Sequence, residues 1–516
     1  MKKIASGYRL IFGYLGIFLT MVGVIILLPL VLLAVPAYHN DVGNISSFLI
    51  PGLTTMVCGI LLFFLLLGNR EKAQLQKHQD SVLLILVWLI AIVVSAFPFW
   101  LSGKMTFTEA IFESTSGYAS VGLTRLPTEM FDSHMYTFYR ALLQFFGGVG
   151  LVLIVTSAIS DRYGLKLYVA EGHNDKLIPN LSKSARIVLS MYVAFIILGS
   201  VALVVAGVEP FDAITHSISA VATGGFSSRV NGMAGYSGNQ LAIEIITCAL
   251  MVLGATNFVL HFMLLFGKFK RVGKDIEIKT FGFVFIIFVP LIFIAYLVGY
   301  NSLTGTNYSV LESLRYGTFT FLSCITTTGY SNVPAGAVIP AGAFLLLTIC
   351  NVIGGGMGST AGGIKFYRLG VAVKSYLWTL KERLSPKRLI YPTYITRYGE
   401  MKEVTKSDAS EAFGYTLLYI LVMLVGAFFV SVLGKFDFGA SMFEFSTALS
   451  GTGLSNGITS NLKISMNDLA TGQMQAPHVA VAWILNVGMF LGRLEILVVF
   501  YALFRVVRDI LGKETI

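Results

Sequence analysis

Apolar residues in this chain run in long stretches, separated by short polar or basic segments. A membrane-spanning helix needs roughly 20 mostly apolar residues. Stretches at about 10–35, 48–68, 81–102, 138–160, 187–207, 240–266, 280–300, 340–373, 411–434 and 478–506 meet that length, the eighth with an interruption. Between some of them lie shorter segments, at about 107–119, 211–223, 313–326 and 438–450, rich in Ser, Thr, Ala and aromatic residues. Each ends in a Gly-containing polar stretch and is too short to cross a bilayer. Such segments predict re-entrant half-helices. The pattern therefore predicts an all-α membrane protein with ten transmembrane helices.

Charge adds an orientation. The segments 1–9, 69–80, 161–186, 267–280, 365–407 and 505–516 hold 29 of the 37 Lys and Arg residues. Basic loops stay on the cytoplasmic side, so both termini are expected there, in a multi-pass protein of the cell membrane. The same asymmetry accounts for the net charge of +10 without nucleic acid as a partner. Only 12% of residues are charged, about half the share usual in soluble domains, which excludes a multidomain soluble protein. The first apolar run reads as a span rather than a cleaved signal. Cys58, Cys248, Cys324 and Cys350 form neither a disulfide framework nor a zinc pattern. Asp41, Glu109, Glu113, Glu129, Asp132, Glu209, Asp212, Glu312, Asp437, Glu444 and Asp468 fall on the opposite side. They form either an acidic mouth that concentrates cations or ordinary solvated loop and helix-start acids.

The short segments repeat. Phe107 to Leu123 reads F-T-E-A-I-F-E-S-T-S-G-Y-A-S-V-G-L, and Phe438 to Leu454 reads F-G-A-S-M-F-E-F-S-T-A-L-S-G-T-G-L. The second loop ends S-A-V-A-T-G-G-F and the third C-I-T-T-T-G-Y-S. Each places a small or β-branched residue before a glycine: Val121-Gly122, Thr223-Gly224, Thr328-Gly329 and Thr452-Gly453. An ion leaving water needs replacement oxygens, and rings of backbone carbonyls supply them. Glycine allows the strained backbone that aims carbonyls at an axis, and Val or Thr stiffens the neighbouring residue. The expected filter is Ser120, Val121, Gly122, Ala222, Thr223, Gly224, Thr327, Thr328, Gly329, Gly451, Thr452 and Gly453. The competing reading is that these glycines only let helices pack closely.

These motifs resemble the Trk/Ktr/HKT superfamily of potassium transport subunits. The resemblance also rests on G-G-G-M-G-S-T-A-G-G-I-K at 354–365 and G-R-L-E-I-L at 492–497, and it covers nearly the whole chain beyond residue 75. The two additional N-terminal spans are closer to the TrkH branch than to the eight-span KtrB branch. The resemblance implies four tandem helix–pore loop–helix repeats around one pore, preceded by a two-helix hairpin. The corresponding boundaries are 1–70 for the hairpin and 71–165, 166–274, 275–407 and 408–516 for the repeats. It implies potassium as the ion in the filter, with no covalently bound cofactor. It also implies a homodimer and a cytosolic nucleotide-binding regulatory subunit, TrkA/KtrA-like, for which 365–407 is the expected docking segment. Serine at the first filter glycine marks sodium-permeable plant members, and Gly122 stands there in this chain. Ala119-Ser120-Val121 departs from the commoner Thr run.

Two features are expected inside the pore. The run Gly354, Gly355, Gly356, Met357, Gly358, Ser359, Thr360, Ala361, Gly362, Gly363 breaks the second helix of the third repeat. Irregular backbone at membrane depth lines a cavity or is buried in protein. The resemblance implies a gating loop; a packing kink is the alternative. The partial match of Gly356, Gly358 and Ala361 to a dinucleotide motif lacks a preceding strand. Arg493 lies inside the last apolar span, where a cation is expensive and usually functional. The resemblance implies a positive barrier below the filter; a structural arginine bonded to loop carbonyls is the other reading. A sodium- or proton-coupled secondary transporter of another solute predicts inverted repeats, which four loops of one topology disfavour. No nucleophile motif or metal cluster points to an enzyme.

Overall fold

The computed structural model describes residues 4–5, 7–68, 71–72, 79–151, 153, 181–301, 306–333, 339–385 and 392–511. The expected boundaries at 70/71 and 165/166, and most of the basic segments 69–80 and 161–186, lie outside them.

Helices α1 (Tyr8–Leu27) and α2 (Ile45–Leu66) form the N-terminal hairpin. Their backbones approach closely at small residues. A Cβ on Gly16 would lie 2.7 Å from the Gly59 carbonyl, and one on Gly23 would lie 2.6 Å from the Met56 amide. Small residues at such crossings supply the packing that lipid cannot. The chain then runs through α3 (Gln79–Leu101), α4 (Phe107–Tyr118), α5 (His134–Val149), α6 (Leu181–Val205), α7 (Pro210–Val221), α8 (Gln240–Ala255) and α9 (Phe258–Leu265). It continues through α10 (Ile276–Val298), α11 (Val310–Ile325), α12 (Ala341–Ile353), α13 (Phe366–Leu384), α14 (Lys406–Gly434), α15 (Phe438–Ser450), α16 (Ala476–Arg493) and α17 (Ile496–Ile510). A hairpin of β1 (Tyr394–Arg397) and β2 (Glu400–Glu403) joins α13 to α14.

Among the described residues, Tyr8–Ala34, Asp41–Leu66, Gln79–Leu101, Ser182–Val205, Ile276–Val298 and Lys406–Gly434 are long and apolar enough to cross a membrane. The predicted spans at 240–266 and 478–506 are not straight. The first bends by 106° between α8 and α9, and the second by 100° between α16 and α17. The third-repeat helix breaks between α12 and α13, and α5 ends at Gly150 with φ +94°. Interruption of the second helix is thus not confined to the third repeat: the spans at 240–266 and 478–506 share it. Arg493 is accordingly the last residue of α16, at a helix end, and not inside a continuous span.

The four short helices α4, α7, α11 and α15 occupy the predicted half-helix positions. Each starts on an acid or a cap. Thr106 with Glu109, and Ser309 with Glu312, close reciprocal capping boxes; Asp437 caps α15, and Asp212 sits in the first turn of α7 behind Pro210. Acids suit the positive helix N-terminus. The C-terminal residues Tyr118, Val221, Ile325 and Ser450 are all buried.

The interior is the polar part of the molecule. Ser114, Ser116, Ser217, Ser323, Thr327, Thr328, Ser446, Thr447 and Thr452 are buried, whereas Phe64, Leu65, Val205, Ile286, Val298 and Leu417 are exposed. Apolar side chains on an outer surface are stable against lipid, and buried hydroxyls demand partners inside.

Candidate ion-conduction site

After each short helix the backbone makes the same turn. The amides of Val121, Gly224, Thr328 and Thr452 donate to the carbonyls of Ser116, Ser219, Ser323 and Thr447, at 2.8 to 2.9 Å. The residue before each of these amides has left-handed backbone: Ser120 (φ 51°), Thr223 (50°), Thr327 (53°) and Gly451 (80°). The residue after it is a glycine at positive φ: Gly122 (97°), Gly225 (71°), Gly329 (89°) and Gly453 (77°). An L-residue in this region costs about 1–2 kcal/mol, so three of the loops carry strain at a non-glycine position.

These glycines close a ring. A Cβ on Gly122 would collide with the Gly224 carbonyl, on Gly225 with that of Thr328, on Gly329 with that of Thr452, and on Gly453 with that of Val121. Each loop therefore abuts the next in chain order, and the fourth abuts the first. Four loops around one axis follow from this cycle.

One expected residue moves. The ring glycine of the second loop is Gly225, not Gly224; Gly224 occupies the place of Val121, Thr328 and Thr452. The Thr-Gly dipeptide at 223–224 aligned the loop one residue early. The gapless match of E-A-I (109–111) with D-A-I (212–214) carries the correct register, because the same offset pairs Gly122 with Gly225. The other expected filter residues stand at the ring or on its inner side.

The Gly-rich loop lies across that inner side. The Thr360 hydroxyl donates to the carbonyls of Val221 (3.0 Å) and Gly254 (2.9 Å) and accepts from Thr223 (3.1 Å). The Gly362 amide donates to Thr327 Oγ1 at 2.8 Å, and Gly362 packs on the Ser450 carbonyl. Gly356 donates to the Ala255 carbonyl at 2.8 Å, and Met357 to Glu277 at 3.3 Å. The loop thus touches the second, third and fourth filter loops and the break between α8 and α9. A cavity of about 40 Å³ lies between it and the first and fourth loops. Among its lining residues are Ser120, Gly451, Thr360, Lys365 and Arg493.

Arg493 donates to the carbonyls of Thr360 (3.3 Å), Gly148 (3.1 Å) and Gly147. It bridges the end of α5 to the Gly-rich loop. Glu495 turns away from it to pair with Arg368 at 2.8 Å. Lys365, expected among the cytoplasmic basic residues, donates through Nζ to the Ala361 carbonyl at this cavity.

The acids do not form one exposed mouth. Glu109, Glu113, Asp212 and Glu444 are buried. Glu113 pairs with Arg140 (2.6 Å) and accepts from Thr124 Oγ1 and the Arg125 amide (both 2.9 Å). Glu444, at the same place in the fourth loop, accepts from Ser455, the amides of Asn456 and Thr459, and the Thr459 hydroxyl. Both carboxylates pin the chain as it leaves the ring. Four of the arginines outside the basic segments are likewise paired: Arg125 with Glu109, Arg140 with Glu113, Arg229 with Asp212 and Arg315 with Glu244. Glu444→Ala should lower folding stability by about 3 kcal/mol, because it orphans buried donors. Thermal unfolding in detergent checks this, and an unshifted transition would contradict the bracing role.

A carbonyl ring closed by four loops that follow short helices, with a Gly-rich loop packed against it, is the arrangement of a pore-loop cation-transport protein. The chain belongs to the TrkH family, described as cation transport proteins, which matches residues 48–508. It is 30% identical over 440 residues to the Trk system potassium uptake protein TrkH of Salmonella typhimurium, covering 83% of this chain and 86% of the relative. It is 27% identical over 490 residues to an uncharacterized cation transporter of Methanocaldococcus jannaschii, covering 94% and 92%. The crystal structure of the potassium transporter TrkH from Vibrio parahaemolyticus superposes with a TM-score of 0.77 at 25% identity, covering 96% of this chain and 98% of that one.

Proposed function

We propose that this protein is the potassium-conducting membrane subunit of a Trk-type uptake system. The observation that carries the reading is the closed cycle of Gly122, Gly225, Gly329 and Gly453 against the carbonyls of Gly224, Thr328, Thr452 and Val121. Backbone oxygens around one axis replace the hydration shell of a monovalent cation. The names of the relatives supply potassium as the cation. The short helices add the negative ends of their dipoles. The loop 354–363 and Arg493 serve as the gate below the filter. Ten spans, both termini in the cytoplasm, a homodimer in the cell membrane and a cytosolic nucleotide-binding regulatory subunit complete the proposal; the homodimer and the regulatory subunit rest on the family alone.

Purified protein in liposomes loaded with potassium should take up rubidium-86, and excess external potassium should compete while equal sodium should not. No uptake above protein-free liposomes, or equal competition by sodium, would sink the assignment.

A further inference from the structure

The four filter loops hold their ring carbonyls by different means. In the third loop the Thr328 hydroxyl bonds the Thr326 hydroxyl at 2.9 Å, and in the fourth Thr452 bonds Ser450 at 2.8 Å. In the first loop the β-branched Val121 is fully buried, which leaves its stiff side chain no room to turn. The second loop has Gly224 at this position and no side chain to do the same. Its place is filled from another repeat. Gln144, on α5 and fully buried, donates through Nε2 to the Gly224 carbonyl at 2.6 Å and accepts from the Phe226 amide at 3.4 Å. Its two hydrogen bonds therefore straddle Gly225, the ring glycine.

Gly224 itself is not in the left-handed region, so its backbone does not require glycine. What excludes a side chain there is Gln144. A Cβ on Gly224 would lie 2.6 and 2.7 Å from Gln144 Oε1 and Nε2. The glycine and the glutamine are two halves of one device.

We propose that Gln144 is a positioning residue for ion selectivity, a strut that fixes the Gly224 carbonyl in the ring as the side chains of Val121, Thr328 and Thr452 fix theirs. The inference rests on the filter reading above. Without the amide donor, the glycine carbonyl is the most mobile of the four. A ring with one mobile member loses the fixed geometry that separates a larger cation from a smaller one.

The test measures the potassium-to-sodium permeability ratio from bi-ionic reversal potentials, a quantity independent of how much protein is folded. Gln144→Leu keeps the bulk and removes both hydrogen bonds; the ratio should fall roughly five-fold, the scale of one hydrogen bond. Gln144→Ala with Gly224→Val converts the second loop to the Ala-x-Val-Gly pattern of the first and should restore the ratio. Gly225→Ser is measured alongside. If Gly225→Ser lowers the ratio and Gln144→Leu does not, the strut is wrong and the filter stands. If Gln144→Leu lowers the ratio and the double variant fails to restore it, the fixing role is also wrong. If neither single variant changes the ratio, the filter reading itself fails.

Discussion

Gly122→Ser lowers the potassium-to-sodium permeability ratio at least tenfold, about 1.4 kcal/mol of discrimination. Two costs act together at this position. The backbone sits at φ +97°, where a side chain strains the chain by about 1–2 kcal/mol. The new Cβ also points at the Gly224 carbonyl of the next loop and cannot coexist with it. Relief requires the first two loops to part, and that moves the carbonyl that Gln144 holds. A wider and looser ring gives a partly hydrated sodium ion the same welcome as potassium. The measurement is the reversal potential under bi-ionic conditions. An unchanged ratio would remove the ring from selectivity.

The cyclic arrangement explains why so much of this site is legible in one chain. A half-helix too short to span, an acid in its first turn and a glycine at its end are local signals, and they recur wherever the fold needs them. Glu109 and Asp212 mark helix starts, and Gly122, Gly329 and Gly453 mark the ring. The register of the second loop is masked because Thr223-Gly224 imitates the Thr-Gly pairs of loops three and four. Only the spacing from Asp212 separates the imitation from the ring glycine.

What the sequence hides is made of contacts between separate segments, within one repeat as well as between repeats. Gln144 looks like one polar residue in an apolar run, because its partner lies 80 residues away in the second loop. Glu113 and Glu444 look like mouth acids because their partners, Arg140 and Thr459, come from later segments. Arg493 looks like a charge inside a span because apolar residues continue on both sides of it. The break at Leu494 and Glu495 is preceded by a single glycine, Gly492, too weak a signal to end a span, and Glu495 takes φ +58° there to reach Arg368.

Arg493→Ala raises single-channel conductance or unregulated flux about tenfold, a barrier change of roughly 1.4 kcal/mol. The charge borders a cavity of about 40 Å³ that Ser120 and Gly451 also line, and on the filter reading a cation leaving the ring enters that cavity. Two unit charges 4 Å apart repel by about 4 kcal/mol at an effective dielectric of 20, and by about 2 kcal/mol at 8 Å. Lys365 keeps part of that repulsion in the variant, which holds the gain below the full electrostatic value. Arg493 also donates to Thr360, Gly147 and Gly148, so its loss frees the Gly-rich loop from the end of α5. Barrier and tether are separated by Arg493→Lys, which keeps the charge but has fewer donors in a different geometry. A flux gain in the alanine variant alone assigns the effect to charge, and an equal gain in both assigns it to the tether. Folded protein with unchanged conductance in both variants would place Arg493 outside the ion path.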